Sequence, residues 1–373
     1  MMILALLNCV HDYGRRALEG IARYGHAHGT WTLSLHHEEQ VRQVLPRLDP
    51  RVRGIVAHAY GKKLLAVLRG CGLPTVNTSA VAAGVNLPSV LTDNRAIGAM
   101  AADYFVTRGH RRLMVVEHPP WAHSVERSEA FRRAAAEAGV ETTRVVLPSW
   151  KRAEAAVADA LRETPTPVGC FTGSDGIAVF AVRQALELGL AIPEQVAVLG
   201  VDNDTLTTRM MTPTISSIEV PWEKLGFEAA ATLDRLMGGG APPDEPMRVA
   251  PTGVVTRQTT DGLAVEDEDV AAAVGYVRRH VGEPFSIDDL LRDVPLSRRA
   301  LELRFKRGVG RTLQAYITAA RIERAKRLLT ETDYAMPVVA ERSGFADAGY
   351  FATVFRRQVG QTPSAFRSRY RLS

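Results

Sequence analysis

Polar side chains stand directly after short apolar runs throughout the first two-thirds of this sequence. Asn8, His11, Asp12, Tyr13 and Arg15 follow the run Met2–Leu7. HPPWAHSVER, containing Trp121 and Arg127, comes after Leu113–Val116. TGSDG, containing Ser174 and Asp175, comes after Gly169–Phe171, and Asp202, Asn203 and Asp204 come after Val196–Val201. Charged groups make strong, directional hydrogen bonds to hydroxyls, and an aromatic ring covers the apolar face of a sugar. Carboxylates, a guanidinium and rings converging at strand ends therefore suit a polyhydroxylated ligand. Tyr13 and Trp121 are the candidate ring contacts on chemistry and placement alone, although Trp121 could equally be core.

Other chemistries are poorly supported. His36–His37, and His26 with His28, have no Cys or carboxylate cluster completing a metal-ligand spacing. Ser79 and Ser174 lack a nucleophile-elbow context, and there is no glycine-rich phosphate loop. With no acid/base pair at catalytic spacing, the expectation is a binding protein without cofactor or metal. The alternative is a sugar-processing enzyme fused to a DNA anchor.

The last quarter carries a different chemistry. From Val270 onward there are 19 Lys and Arg against 10 Asp and Glu, a balance of +9, whereas the preceding residues hold 27 against 31, or −4. A nearly neutral front and a basic back point to nucleic-acid contact by the back alone. Arg298, Arg299 and Glu302 project from one helical pattern, with Lys306 and Arg307 near its end. Arginine can bond guanine O6 and N7 together, and glutamate can accept from cytosine N4, unless Glu302 merely pairs with Arg298 or Lys306. A second pattern presents Asp347, Ala348, Gly349, Ala352, Thr353 and Arg356, mostly small residues suited to thymine methyls, phosphates and shape. Arg321, Arg324 and Arg327 form a basic stripe between them, with Arg324 expected to meet phosphate.

The elements that must position these residues follow from periodicity. Strands are expected at Met2–Leu7, Trp31–Leu35, Gly54–Ala57, Thr75–Val76, Leu113–Val116, Val145–Leu147, Gly169–Phe171 and Val196–Val201. Helices fall between them, for example Arg15–His26, Ala96–Arg108, Glu126–Ala138, Ala153–Arg162, Asp175–Leu188 and Trp222–Met237. Such alternation implies parallel sheets covered on both faces, which bind ligands at the carboxyl ends of their strands. GGGAPPDEP, from Gly238, reads as a loop before a last strand, Met247–Val255.

DGLAVEDED, Asp261–Asp269, breaks both patterns. It divides the chain into a front domain 1–262, a linker 263–269 and a back domain 270–373. In the back domain Asp269 is expected to cap a helix Val270–Val281. Ser286 then caps Ile287–Leu291, and Ser297 caps a partner helix burying Leu301 and Phe305. A connecting helix runs from Leu313 through Leu329. Beyond it Val338, Val339 and Arg342 form a short helix closed by Gly344. Asp347 caps the next, with Phe351 and Phe355 on its buried face, and Thr362–Pro363 starts another. Two short helix pairs, each joined by a tight turn and basic on the outside, read as two helix-turn-helix units.

The stretch Val338–Arg367, through Ala340, Gly344, Phe345, Tyr350, Phe351, Phe355, Gly360, Pro363 and Phe366, resembles the AraC/XylS family of transcription regulators, as does the paired layout. The front resembles the effector domain of LacI/GalR-type regulators and their periplasmic-binding-protein relatives. The carrying residues are Thr92–Leu113, RSEAF (Arg127–Phe131), Gly173–Asn203 and Ser216–Ala230. That resemblance implies that Arg127, Asp175 and Asp202 line the ligand cleft. Each has a plainer alternative or a weaker footing: Asp175 could be a helix N-terminal carboxylate, and Arg127 could pair with Glu126 or Glu129 on a surface. The family arginine usually precedes a Gly-aromatic pair, so Ala130 is expected to shift packing behind the site. The chain opens on a strand, so the C-terminal reader is expected to replace the N-terminal reading head of LacI proteins.

The fold class implied is an α/β two-lobed periplasmic-binding-protein-like domain followed by an all-α double helix-turn-helix domain. The fusion is similar to the xylose-operon regulators. It implies a homodimeric regulator that binds an operator in double-stranded DNA, responds to a sugar such as xylose, and engages RNA polymerase if it activates. Repression, or a non-sugar effector, is the alternative. Cys9, Cys71 and Cys170 lie far apart, suiting a reducing cytoplasm. MMILALLN has no basic leader or cleavage site, and no apolar run approaches membrane-spanning length, so no membrane partner is expected.

Overall fold

Each of the eight expected strands coincides with or overlaps a strand of the computed structural model, which describes residues 1–29, 31–37, 40–82, 84–262, 267–309 and 311–370. Four form a parallel sheet in the spatial order Thr32–His36, Met2–Leu6, Val52–Ala57, Thr75–Asn77. The other sheet has six strands, in the order Gly253–Val255, Ser216–Glu219, Val196–Val201, Val168–Phe171, Arg112–Glu117, Glu141–Val146. Only Gly253–Val255 is antiparallel to its neighbour. Helices pack against these sheets, and the two sheets with their helices make two lobes within Met1–Gly262. Leu263–Ser373 is a separate unit.

The expected last strand, Met247–Val255, is in fact two. Met247–Val249 pairs with Val90–Thr92, while Gly253–Val255 pairs with Ser216–Glu219 in the six-stranded sheet. Pro251 between them has no N–H to give a ladder, so the chain changes sheets there.

Glycines set how closely the helices approach. A Cβ on Gly20 would overlap the Glu223 carbonyl, and one on Gly226 would overlap that of Ala17. The helices Asp12–His28 and Trp222–Met237 therefore meet backbone to backbone. At the crossing of Asn94–Thr107 with Ala122–Glu137, a Cβ on Gly98 would strike the Arg127 carbonyl oxygen and the Ala130 methyl. The glycine expected at position 130 is supplied from the opposite helix instead. Ala130 packs its methyl against Gly98.

In the second unit the first helix is Glu268–His280, and its cap is Asp267, not Asp269. Arg304 decides between the acidic candidates: its Nε and Nη2 each donate to the Asp267 carboxylate at 2.6 Å, and its Nη1 pairs with Asp269 at 3.0 Å. Of the expected linker, 263–266 lie outside the described residues and 267–269 belong to the start of this helix. Ser286 and Asp289 form a reciprocal capping box on Ile287–Asp293, and Ser297 Oγ accepts from Ala300 at the start of Arg298–Val309. Leu313–Glu331 leads to Met336–Arg342 and Ala348–Val359. Asp347 caps the latter by accepting from Tyr350 N at 2.6 Å.

Val274, Leu301, Phe305 and Tyr316 belong to one small core, and Leu329, Val339, Phe351 and Phe355 to another. The Arg321 guanidinium lies over Phe285 of the first reader and Phe345 of the second, 5.1 and 6.0 Å from the ring centres. Gly344 takes the left-handed φ of +79°, and a Cβ there would overlap the Val281 carbonyl oxygen. The two readers are therefore clamped to each other.

Gly98→Ala should destabilise the first unit by about 1–3 kcal/mol through overpacking at a backbone contact. Ala130→Gly should cost only about 0.5–1 kcal/mol of helix propensity. Differential scanning calorimetry of the full chain checks both.

Candidate effector cleft and DNA-reading surface

The three charged residues expected at the cleft come together. Arg127 lies on the helix Ala122–Glu137 and is 3% exposed. Its Nε donates to Asn94 Oδ1 at 3.0 Å and its Nη1 to the Gly173 carbonyl at 2.6 Å. The surface pairing with Glu126 is not made: Glu126 accepts from Asn94 Nδ2 and pairs with Arg248. Asp202 and Asp175 supply the largest favourable charge around the guanidinium.

The two aspartates are not equivalent. Asp175 opens the helix Asp175–Glu187, whose cap is Ser174. Asp175 Oδ1 accepts from Ser217 Oγ at 2.6 Å and Oδ2 from Asp204 N at 2.8 Å. Gly200 beneath it has no side chain to collide with that carboxylate. Asp202 follows the strand Val196–Val201 at φ +102°, and its buried Oδ1 has no hydrogen-bond partner. Burial pushes its carboxyl up to about 6, Arg127 pulls it down, and Asp204 raises it again. Burial, reinforced by Asp202, also holds Asp175 well above the carboxylate range. An unpartnered acceptor beside a buried cation is a site short of a hydroxyl or amine donor.

Tyr13 belongs to the opposite lobe, and its ring sits 5.2 Å from His58 and 5.4 Å from Trp222. Trp121 caps the Arg127 helix half-buried, with its ring 4.3 Å from His118, 5.6 Å from His123 and 5.6 Å from Trp150. Burial lowers His58 to about 4 and, with the Arg127 charge, holds His123 well below its ordinary value, so both are neutral at pH 7.

His58, Asn94 and His123 were not singled out from sequence. His58 directly follows a strand and could have been found by that rule. Asn94 could not, because its contact to Arg127 spans 33 residues.

On the DNA-reading side, Arg298, Arg299, Glu302, Lys306 and Arg307 are exposed on Arg298–Val309. Arg298 Nε donates to Glu302 at 3.2 Å, the pairing left open in the sequence reading. Leu303, 72% exposed, was overlooked, yet it shares the i, i+3, i+4, i+7 face with Arg299, Glu302 and Lys306. On the second reader Thr353 and Arg356 are exposed, as is Tyr350 at 60%. Asp347 is engaged as a helix cap, and Thr353 Oγ1 donates to the Gly349 carbonyl. Arg324 Nε donates to the Arg342 carbonyl at 2.6 Å, and its guanidinium lies against Gly282. It braces the two readers.

Two family models match the chain. Residues 102–260 match the model of a periplasmic binding protein-like domain, and 290–369 match a helix-turn-helix domain. An α/β effector domain followed by such a reader defines the chain as a DNA-binding transcription regulator. Over 98% of its length it is 29% identical to the xylose operon regulatory protein of Escherichia coli, covering 96% of that protein, and 26% identical to that of Haemophilus influenzae, covering 97%. The solved structure of the xylose-binding transcription activator XylR superposes with a TM-score of 0.83 at 26% identity, covering all of this chain and 98% of that one. Over its whole length the chain is thus similar to the XylR regulators. Among the described residues no helix is long and apolar enough to cross a membrane.

Asp202→Asn should stabilise the unliganded protein in a pH-dependent way. The native state holds this proton more tightly than the unfolded chain, whose carboxyl titrates near 3.8, so the charged form costs stability as pH rises from 3.8 to about 6. The variant should therefore gain about 1–3 kcal/mol above pH ~7 and nothing below pH ~4. His58 works oppositely, losing stability as pH falls from 6.5 to about 4, but equally in both proteins. Thermal melts of parent and variant at both pH extremes read the difference.

Proposed function

We propose that this chain is a homodimeric, cytoplasmic activator that binds xylose or a closely related pentose in the cleft around Arg127 and Asp202, and couples that binding to operator recognition. The observation that carries it is the orphaned Asp202 carboxylate beside a buried guanidinium, because a polyol hydroxyl donates to such an acceptor. Similarity to the xylose operon regulatory proteins supports the sugar, and similarity to the XylR activator supports activation, and with it contact to RNA polymerase. The relatives are regulators, which supports a cleft that binds without turnover.

In this reading Arg127 and Asp202 contact the sugar directly, Asp175 positions the segment 202–204, and Tyr13 and Trp121 contribute ring faces. On DNA, Arg299, Glu302, Leu303 and Lys306 meet base edges, Arg298 and Arg307 flank them, and Thr353, Arg356 and Tyr350 serve the second half-site. A homodimer would be assembled through the effector domain, which sedimentation velocity tests.

D-xylose should raise the melting temperature of the parent, since ligand at a hundred times its Kd adds about 2.7 kcal/mol. Asp202→Asn should lose about ten- to a hundredfold in xylose affinity by calorimetry while binding operator normally without sugar. No shift with xylose while another pentose or polyol gives one would replace the sugar. Unchanged affinity in the variant would remove Asp202 from the site.

Arg299→Ala should cost about 1–3 kcal/mol on the preferred operator and relax one or two base positions. Arg324→Ala should instead lower the melting temperature of the second unit. Operator selection from random duplexes, repeated at rising salt, checks the first claim, because phosphate contacts weaken uniformly with salt and base contacts do not.

A further inference from the structure

Asp204 stands two residues beyond Asp202 and binds in three directions. Its Oδ1 accepts from Thr207 N at 2.8 Å, capping the short helix Thr205–Arg209. Its own N–H donates to Asp175 Oδ2 at 2.8 Å. Its Oδ2 accepts from the N–H of Asp12 at 3.2 Å. Asp12 is the first residue of the helix Asp12–His28 in the four-stranded lobe, whereas Asp204, Asp175 and Ser217 belong to the six-stranded one. A continuous polar thread, Ser217–Asp175–Asp204–Asp12, thus joins the lobes. The N-terminal end of a 17-residue helix is a favourable place for a carboxylate, since its dipole and free N–H groups favour negative charge. Burial raises the Asp204 carboxyl, but the bonds from Thr207 and Asp12 outweigh it and keep the group ionised.

The segment that this thread holds is strained. Asp202 has φ +102°, which a side-chain-bearing residue adopts only when its surroundings impose it, and Asn203 follows in the left-handed region at +52°, which asparagine tolerates. Asn203 N donates to Ser217 Oγ at 2.9 Å, and Asn203 Oδ1 accepts from Arg257 Nη2 at 2.6 Å. The Asn203 amide also donates to Glu219, which pairs with Arg16 of the first helix at 2.6 Å. Parting the lobes would take Asp12 and Arg16 away together and leave the strained turn held from one side only.

We propose that Asp204 is a positioning residue, a latch whose carboxylate ties the lobes through the Asp12 N–H and thereby holds Asp202 where it receives the effector. This rests on the cleft reading above, and it makes effector affinity depend on a bond the effector does not touch.

Proline at position 12 removes the donor. Asp12 is the first helical residue, where proline is well tolerated, and His11 before it has the extended φ −90°, ψ 153° that proline requires of its predecessor. Asp12→Asn removes the charge and the Arg15 ion pair but keeps the N–H, and serves as control. Asp204→Ser keeps the helix cap through its hydroxyl but has no second oxygen for Asp12.

The test is D-xylose calorimetry on the full chain, for the parent, the three single variants and Asp12→Pro with Asp204→Ser. Asp12→Pro and Asp204→Ser should each weaken binding about tenfold, and together no more than either alone, because they remove the same bond. Asp12→Asn should bind like the parent. Unchanged affinity in Asp12→Pro, or losses that simply multiply, would overturn the latch. If the parent binds no xylose, the sugar assignment fails, and hydrogen exchange of the unliganded proteins then decides the latch. Exchange of residues 200–209 should rise equally in Asp12→Pro and Asp204→Ser and no further in the double variant, whereas unchanged exchange in Asp12→Pro rejects it.

Discussion

A guanidinium buried to 3% exposure has given up most of its water, and the effector unit is arranged around compensating for that. Burying one such ion costs several kcal/mol unless charge and hydrogen bonds are returned to it. The hydrogen bonds to Arg127 come from neutral acceptors, Asn94 Oδ1 and the Gly173 carbonyl, and the charge comes from Asp202 and Asp175 nearby. Each contribution needs its own backbone concession. Gly98 lets the Arg127 helix close on its neighbour, Gly173 turns its carbonyl inward at φ +68°, and Gly200 leaves room for Asp175. Asp175 is satisfied by Ser217 and Asp204, whereas Asp202 Oδ1 stays an acceptor that a ligand's donor can complete.

The reading unit meets a different constraint. Its two cores are small, and neither helix pair has the surface to stand alone in the way a larger domain does. Arg321 between Phe285 and Phe345, Arg324 on the Arg342 carbonyl, and Gly344 against Val281 weld them into one body. Two of the stripe's arginines therefore serve architecture, and the positive field toward DNA comes from the exposed readers and their flanks.

What could be read from sequence was mostly what is local. Caps such as Ser286, Ser297, Asp347 and Thr362 act within three residues, and Phe351 with Phe355 mark their buried face by spacing alone. The strand-end rule brought Arg127, Asp175 and Asp202 into view among other polar residues, and the resemblance to LacI-type effector domains named those three as a group. Neither could rank them, because the difference between a satisfied Asp175 and an orphaned Asp202 lies in Ser217 and Asp204, brought in by the fold. The cap at 267 rather than 269 was hidden because several acidic residues run together and Arg304, some 37 positions on, chooses among them. The bond from Arg324 to a carbonyl 18 residues away was hidden for the same reason, since nothing local marks it.

The weld between the two readers has a consequence for where such a protein can act. The first recognition helix shows Arg299, Glu302, Leu303 and Lys306, and the second shows Tyr350, Thr353 and Arg356. Because they are chemically unlike and held to one another, a site that both fit has a head and a tail. A palindrome would mismatch one of its two readers. A site that both helices fit therefore has a direction, and the reading unit can lie along it one way round only.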